Sequence, residues 1–309
     1  MKEFNDIKKN SAKAWMLAAR PKTLAAAVVP VLVGCALAHY YGAFQWIPAL
    51  ACLFFAMLMQ IAANLINDLF DYLKGSDGED RVGPLRATAQ GWISMPAMKK
   101  GIFLVILLAC LIGSTLIFYG GWLMILVGCF CAAFAYCYTS GPYPLAYNGL
   151  GDIAVIAFFG LVAVGFTCYV QTLCWTTVII FSGLATGMVV NTLLVLNNYR
   201  DRDSDRKAGK RTIVVRLGES FGRYLYLFSG LLAVIIVCTV FYFEKNIESK
   251  CGSFCSPFFT LFYLFPHFMT WRKICKIREG RALNALIGET SRNMLFFALL
   301  LSLGLIVCR

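Results

Sequence analysis

Apolar runs long enough to cross a bilayer recur along almost the whole chain, and they leave lipid as the solvent in which it must fold. A spanning helix needs roughly 20 mostly apolar residues. Such runs stand at about 23–41, 46–70, 101–119, 121–139, 151–171, 175–199, 222–243, 255–271 and 290–308. With 60% hydrophobic and 14% charged residues in 309 positions, the stretches between them are too short for a sizeable soluble domain. Hydrocarbon offers no partner to a backbone amide, so each run must satisfy its own as a helix. The predicted fold is therefore an all-α membrane bundle of about nine transmembrane helices. The chain reads as one domain, 1–309, with 1–19 as its N-terminal segment. The run behind Lys22 lacks a small-residue cleavage pattern, which makes it an uncleaved first span and not a signal peptide.

The net charge of +12 raises the question of nucleic acid, and the placement of the charge answers it. Lys2, Lys8, Lys9, Lys13, Arg20 and Lys22 precede the first run. Lys74, Arg81, Arg86, Lys99 and Lys100 follow the second, the cluster from Arg200 to Arg216 the sixth, and Arg272, Lys273, Lys276, Arg278 and Arg281 the eighth. The loops after runs 1, 3 and 5 hold no Lys or Arg. Nine spans place all these basic segments on one side, which the positive-inside rule makes cytoplasmic together with the N-terminus. Lys245, Lys250 and Arg309 are the exceptions. The expected setting is the cell inner membrane, with lipid and not nucleic acid as the partner. Most cysteines sit singly in apolar runs as small hydrophobes. Cys251 and Cys255 share an outer loop, where an oxidising compartment would allow them to pair.

Polar residues inside such a bundle are informative because they are costly. Asn64, Asn67, Asp68 and Asp71 end the second run, and Asn197, Asn198, Asp201 and Asp205 end the sixth. Positions 64, 67 or 68, and 71 share one helix face, as do 197 or 198, 201 and 205. The clusters lie four spans apart and so emerge on the same membrane face, toward one shared cavity. A carboxylate at the centre of a span costs roughly 2.5–3.5 kcal/mol on insertion scales, and less near the edge. A single such aspartate reads best as a solvated cap paired with a nearby lysine. Two matched clusters, each with asparagine one turn earlier and basic residues after it, read better as sites for a divalent cation. Mg²⁺ takes hard oxygen ligands and binds through one or two carboxylates plus substrate phosphate. Lys74, Arg81 and Arg86 after one cluster, and Lys207, Lys210 and Arg211 after the other, suit a diphosphate clamped between them.

Asn67-Asp68-x-x-Asp71-x-x-x-Gly75-x-Asp77 and Asp201-x-x-x-Asp205 resemble the two signature motifs of the UbiA-type intramembrane prenyltransferases. Further segments resemble the 1,4-dihydroxy-2-naphthoate polyprenyltransferase branch of menaquinone biosynthesis. They are Arg20-Pro-Lys-Thr23, Asp80-Arg-Val-Gly-Pro84, Tyr138-Thr-Ser-Gly-Pro-Tyr-Pro-Leu145, Gly149-Leu-Gly-Asp152, Asn197-Asn-Tyr-Arg-Asp201, and Leu283-Asn with Thr290. Ser140 and Asn148 depart from the glycine and histidine commoner at those places.

The resemblance implies a nine-helix UbiA-type bundle around a lipid-accessible cavity, Mg²⁺ dependence and an active site on the cytoplasmic side. It implies transfer of a polyprenyl chain from polyprenyl diphosphate to 1,4-dihydroxy-2-naphthoate, with loss of the carboxylate as CO₂, giving demethylmenaquinone. Asn67, Asp68, Asp71, Asp201 and Asp205 are the expected metal ligands. Lys74, Arg81, Lys207 and Lys210 are expected to neutralise the leaving group. Asn64, Asn197 and Asn198 are expected at the substrate, Tyr138 beside the allylic cation, and Arg86 or Arg20 at the acceptor carboxylate. Phe134, Tyr136, Phe158 and Phe159 could also flank the cation, although in a chain this rich in aromatics bundle packing is the better reading of any one of them. Transfer to another aromatic acceptor such as 4-hydroxybenzoate, or to haem or chlorophyllide, is the alternative within the superfamily. An ion-coupled transporter would place its acids nearer the midplane on broken helices, and a noncatalytic lipid scaffold would not need the aspartates.

Overall fold

The computed structural model describes residues 7–75, 82–244 and 252–307. Arg81, Asp77 and Asp80, and the pairing of Cys251 with Cys255, lie outside the described residues. All regular structure within them is helical.

The chain enters through α1 (Ala12–Ala19) and α2 (Ala25–Tyr40), which meet at a bend of 50°. Pro21 disfavours helical backbone in the residue before it, and Arg20 adopts a left-handed conformation with φ 52°. Then follow α3 (Trp46–Leu73), α4 (Met95–Ser114) with the short α5 (Ile117–Gly120), and α6 (Leu123–Thr139). The next span joins α7 (Gly151–Val155), a π-helical segment Ile156–Val162, and α8 (Ala163–Thr172). After it come α9 (Thr177–Lys207), the short α10 (Ile213–Leu217), α11 (Glu219–Phe243), α12 (Gly252–Leu261), α13 (Leu264–Ile277) and α14 (Leu283–Val307).

Among the described residues six helices are long and apolar enough to cross a membrane, and the bent pair α1–α2, taken as one span, makes a seventh. The chain is a multi-pass membrane protein. The remaining two apolar runs take other forms. α6 is a shorter apolar helix of 17 residues, and the run expected at 255–271 is broken between α12 and α13. Pro266 explains the break: it has no N–H for the carbonyl of Phe262, and the chain there closes tighter turns, from Phe262 N to Phe259 O and from Tyr263 N to Thr260 O.

α9 is the most buried of the six long helices. Its close approach to the π-helical segment depends on three glycines. A Cβ on Gly160 would stand 2.5 Å from the Gly183 carbonyl oxygen, and one on Gly187 2.5 Å from that of Ile156. Small residues let helices approach closely where lipid supplies no hydrophobic drive between them. At the end of the bundle that carries both aspartate clusters, α1 packs through Ala14 and Ala18 against Leu65 and Leu69 of α3 and against Trp92 and Ile93. His267 is a packing residue, stacked between Tyr226 and Tyr263.

Gly187→Val is expected to destabilise the protein by about 1–3 kcal/mol or more, because the new side chain meets backbone that cannot move aside. Gly288→Ala, where an added Cβ meets nothing within 4 Å, is the control. Thermal unfolding in detergent checks the pair, and equal midpoints would remove this crossing from the account of the fold.

Candidate active site

Both aspartate clusters lie on helices that run past their apolar stretches, so the side chains reach the same end of the bundle. On α3, Asn64 donates to the carbonyl of Ala19 (2.9 Å) and to Thr23 Oγ1 (3.0 Å), which ties the α1–α2 bend to this helix. Asn67 accepts from the Thr139 hydroxyl at the end of α6. Asp68 is buried, and its two oxygens accept from the backbone amides of Ala87 and Thr88, each at 2.9 Å. It thereby fixes the loop that presents Arg86. Arg86 closes on Asp71 through Nη2 at 2.6 Å, and Tyr147 donates to the other Asp71 oxygen at 2.9 Å.

Asn197, Asp201 and Asp205 follow one another by four residues along α9 and so share a face. Arg200 folds onto Asp201 through two bonds, Nε at 2.8 Å and Nη2 at 2.6 Å. Its third nitrogen donates to Asn284 Oδ1 at 3.0 Å, while Asn284 donates to the Val82 carbonyl at 3.1 Å. The loop after α3, the start of α14 and the second cluster are thus tied together. Lys210 stands 3.6 Å from Asp205.

Tyr147 joins the two halves. Besides its bond to Asp71, its ring has the Lys74 ammonium at 4.2 Å from the centroid and the Lys210 ammonium at 5.6 Å, a cation–π arrangement. Lys74 also donates to the Thr139 carbonyl at 2.6 Å. Burial lowers the Lys74 pKa from its ordinary value; Asp71 offsets part of this, and Lys210 adds to it.

Below this polar end lies a cavity of about 560 Å³. Arg20, Thr23, Gln60, Asn64, Asn67, Tyr138 and Asn197 line its polar part, and the rest is mostly apolar, with Ser114 and Thr167 as further hydroxyl-bearing residues. Phe134 and Phe158 stack there with centroids 3.5 Å apart, and Phe159 lines the wall beside them.

The sequence-predicted residues therefore sort by position. Asn64, Asn67, Asn197 and Tyr138 face the cavity, and Asp71, Lys74, Asp205 and Lys210 meet around Tyr147. Asn198 is buried away from the cavity lining, and Lys207 is exposed at the last turn of α9. Of the two arginines offered for an acceptor carboxylate, Arg20 lines the cavity while Arg86 is engaged with Asp71. Tyr136 turns away and packs edge-on against Phe70. Tyr147, Arg200 and Asn284 are the connecting residues that sequence reasoning gave no role.

The donors present are hard oxygens, and Asp71 and Asp201 each hold a guanidinium at 2.6 Å. Places that bind positive charge this closely suit Mg²⁺. Among the described residues no three His, Cys, Asp or Glu side chains converge on one point, so phosphate or water oxygens would have to complete each ion's shell.

A sequence profile described as the UbiA prenyltransferase family matches residues 27–278. The chain is 38% identical over 249 residues to the 1,4-dihydroxy-2-naphthoate octaprenyltransferase of Escherichia coli strain K12, covering 78% of this chain and 79% of that one. It is 39% identical over 225 residues to the protein of the same description in Mycobacterium tuberculosis, covering 73% and 76%. A solved structure of a UbiA homolog from Archaeoglobus fulgidus, bound to GPP and Mg²⁺, superposes with a TM-score of 0.67 at 17% identity, covering 95% of this chain and 99% of that one. At that identity the likeness concerns the fold.

Arg86→Met should leave the buried Asp71 carboxylate without its cation, at a cost of about 3–5 kcal/mol. The unfolding midpoint of this variant is expected to fall in EDTA and to recover in part with Mg²⁺, more than the wild type responds. A variant indifferent to Mg²⁺ would argue against metal binding at Asp71.

Proposed function

The chain belongs to the UbiA prenyltransferase family, and on that premise we propose that it transfers a polyprenyl group from polyprenyl diphosphate to 1,4-dihydroxy-2-naphthoate, releasing diphosphate and CO₂ and giving demethylmenaquinol, the reduced form of demethylmenaquinone. The whole chain, 1–309, acts as one prenyltransferase domain in the cell inner membrane, with its N-terminus and active site on the cytoplasmic side. The bias of Lys and Arg toward the loops at the acidic end supports that orientation. The observation that carries the proposal is the meeting of two acid-bearing helix ends, through Tyr147, over the polar mouth of an apolar cavity.

Asn67, Asp68, Asp71, Asp201 and Asp205 would hold Mg²⁺, which when bound offsets the charge of the diphosphate and stabilises its departure. The protein's own cations do the rest. Lys74 and Lys210, both beside the Tyr147 ring, approach the leaving group as negative charge develops on it; Arg81 and Lys207, each shortly after one of the two clusters in sequence, add positive charge. Phe134, Phe158 and Tyr138 place aromatic surface beside the path of the allylic carbon, and the largely apolar lining disfavours water that would capture the cation. Arg20, at the polar part of the cavity wall, pairs with the acceptor carboxylate and so orients the ring carbon that is to be alkylated. Asn64 and Asn197 complete the polar rim, while Asn198, one residue along the same helix, lies outside the lining. The electron-rich naphthoate ring attacks as the donor's C–O bond stretches, and loss of the carboxylate restores aromaticity.

Purified protein in lipid, given Mg²⁺, a labelled polyprenyl diphosphate and either dihydroxynaphthoate or 4-hydroxybenzoate, should form lipid-soluble product and CO₂ with the naphthoate alone. Product only with hydroxybenzoate would move the acceptor assignment, and none with either would overturn the proposal. Asp71→Asn and Asp201→Asn should each lower kcat by roughly 10²–10³-fold or more, the scale on which loss of one charge-stabilising group is felt, without altering the elution of the folded protein. Arg20→Gln should chiefly raise the KM for the acceptor, as expected for a group that binds ground and transition states alike. A change confined to the donor KM would remove Arg20 from the acceptor site.

A further inference from the structure

An arginine stands on the outward face of α14, at an apolar groove that shares no lining residue with the central cavity. Charged side chains within spans ordinarily turn to the bundle interior and pair there. Arg292 does neither: it is exposed, and among the described residues it has no ion-pair or hydrogen-bond partner. Glu289, on the same helix face one turn earlier, is taken by Lys273 of α13, which donates to both carboxylate oxygens at 2.9 Å. Two cations and one carboxylate share this stretch, so its excess charge is positive.

The groove has a volume of about 520 Å³ and is lined by Phe262, Phe265, Pro266, Arg292, Asn293 and Phe296. The break between α12 and α13 opens it, and its three phenylalanines are exposed. Asn293 spends its amide within the protein, donating to the Pro266 carbonyl at 3.3 Å and to the Thr270 hydroxyl at 2.9 Å. Arg292 is therefore the lining group with hydrogen-bond donors left for a ligand.

The groove also has a direction. Pro266 and Thr270 stand against Asn293, and Lys273 against Glu289, so α13 and α14 are antiparallel. Arg292 comes nine residues after Leu283, the first residue of α14, or about 13 Å along the helix. Ser291 beside it donates to the carbonyl of Lys22 in the α1–α2 bend at 3.2 Å, which sets this level at the acidic end of the bundle. Phe296 lies one turn farther from that end, and Phe262 and Phe265 precede Pro266 on the strand of chain that approaches it. The cation thus lies toward the membrane surface, which its long stem lets it reach, and the aromatic wall toward the midplane.

We propose that this groove binds an anionic phospholipid of the leaflet that meets the acidic end, its phosphate on Arg292 and an acyl chain along Phe296, Phe262 and Phe265. A polar head above an apolar wall suits a phospholipid and not a free anion, and the unmatched positive charge selects an acidic headgroup over a zwitterionic one. Basic pockets between membrane helices recognise anionic headgroups in this way. Bound there, the lipid clasps α13 to α14, whose first turn carries Asn284, the partner of Arg200. The inference stands apart from the donor and acceptor assigned above.

The test uses the full chain in detergent, stripped of native lipid and titrated with phosphatidylglycerol or with phosphatidylcholine of the same acyl chains. Native mass spectrometry reads the first lipid bound. Arg292→Gln is expected to weaken phosphatidylglycerol by at least about tenfold, the scale of one lost hydrogen bond to a charged group, and Arg292→Lys to keep most of the affinity. Arg272→Gln, which removes an exposed α13 cation outside the groove, should leave it unchanged. Equal losses in Arg292→Gln and Arg272→Gln would make binding a matter of net charge and overturn the site, as would equal affinity of the wild type for the two lipids. Inorganic phosphate should not displace the lipid; displacement would overturn the assignment to a phospholipid. Phosphatidylglycerol should also raise the unfolding midpoint of the wild type more than that of Arg292→Gln, and an equal rise would contradict the proposal. None of these readings needs turnover, so they decide the lipid site whatever the acceptor assay shows.

Discussion

Negative charge held at the buried ends of two helices is the constraint on which the rest of this structure depends. An unpaired carboxylate in a low-dielectric interior is expensive, and both clusters answer that cost with nearby arginine: Arg86 on Asp71, Arg200 on Asp201. Each arginine needs a rigid mount. Asp68 supplies one by fixing the loop at Ala87 and Thr88, and Asn284 supplies the other by bridging Arg200 to the Val82 carbonyl. Loops that would otherwise be independent are therefore organised around the acids. The result is a polar cap whose charges are balanced within a few ångströms, seated on an apolar cavity.

The helices below are arranged to keep that cavity open. The glycines of α9 bring it against the π-helical segment at backbone distance, and extra residues per turn in a π-helix shift the direction of the side chains that follow. Phe158, Phe159 and Val162 of that segment then line the cavity. Close packing here uses glycine in a helix within lipid, where small residues let backbones approach.

Much of this was legible in the sequence because helices impose a period. The spacing of Asn64, Asn67, Asp68 and Asp71 placed polar groups on one face, and the charge of the loops grouped the two clusters at one end before any contact was known. What periodicity cannot read is a contact made by a loop. Tyr147 sits between two segments that resembled known motifs, yet its role follows only from the fold of the 140–150 turn against α3 and the loop after α9. Arg200 is the immediate neighbour of Asp201, a spacing at which helical side chains do not ordinarily face each other, so its pairing could not be expected from spacing. The eighth apolar run was long enough to read as one span, because length carries no account of the carbonyl that Pro266 leaves without a donor.

The proposed function makes the two acid clusters one site, joined when a diphosphate lies between them. Electron paramagnetic resonance with Mn²⁺ in place of Mg²⁺ tests it most directly, with the protein in nanodiscs and a polyprenyl diphosphate added without acceptor. Two Mn²⁺ ions per chain with resolved spin coupling are expected only when the diphosphate is present. A single ion per chain, or two uncoupled ions at saturating diphosphate, would contradict a shared site.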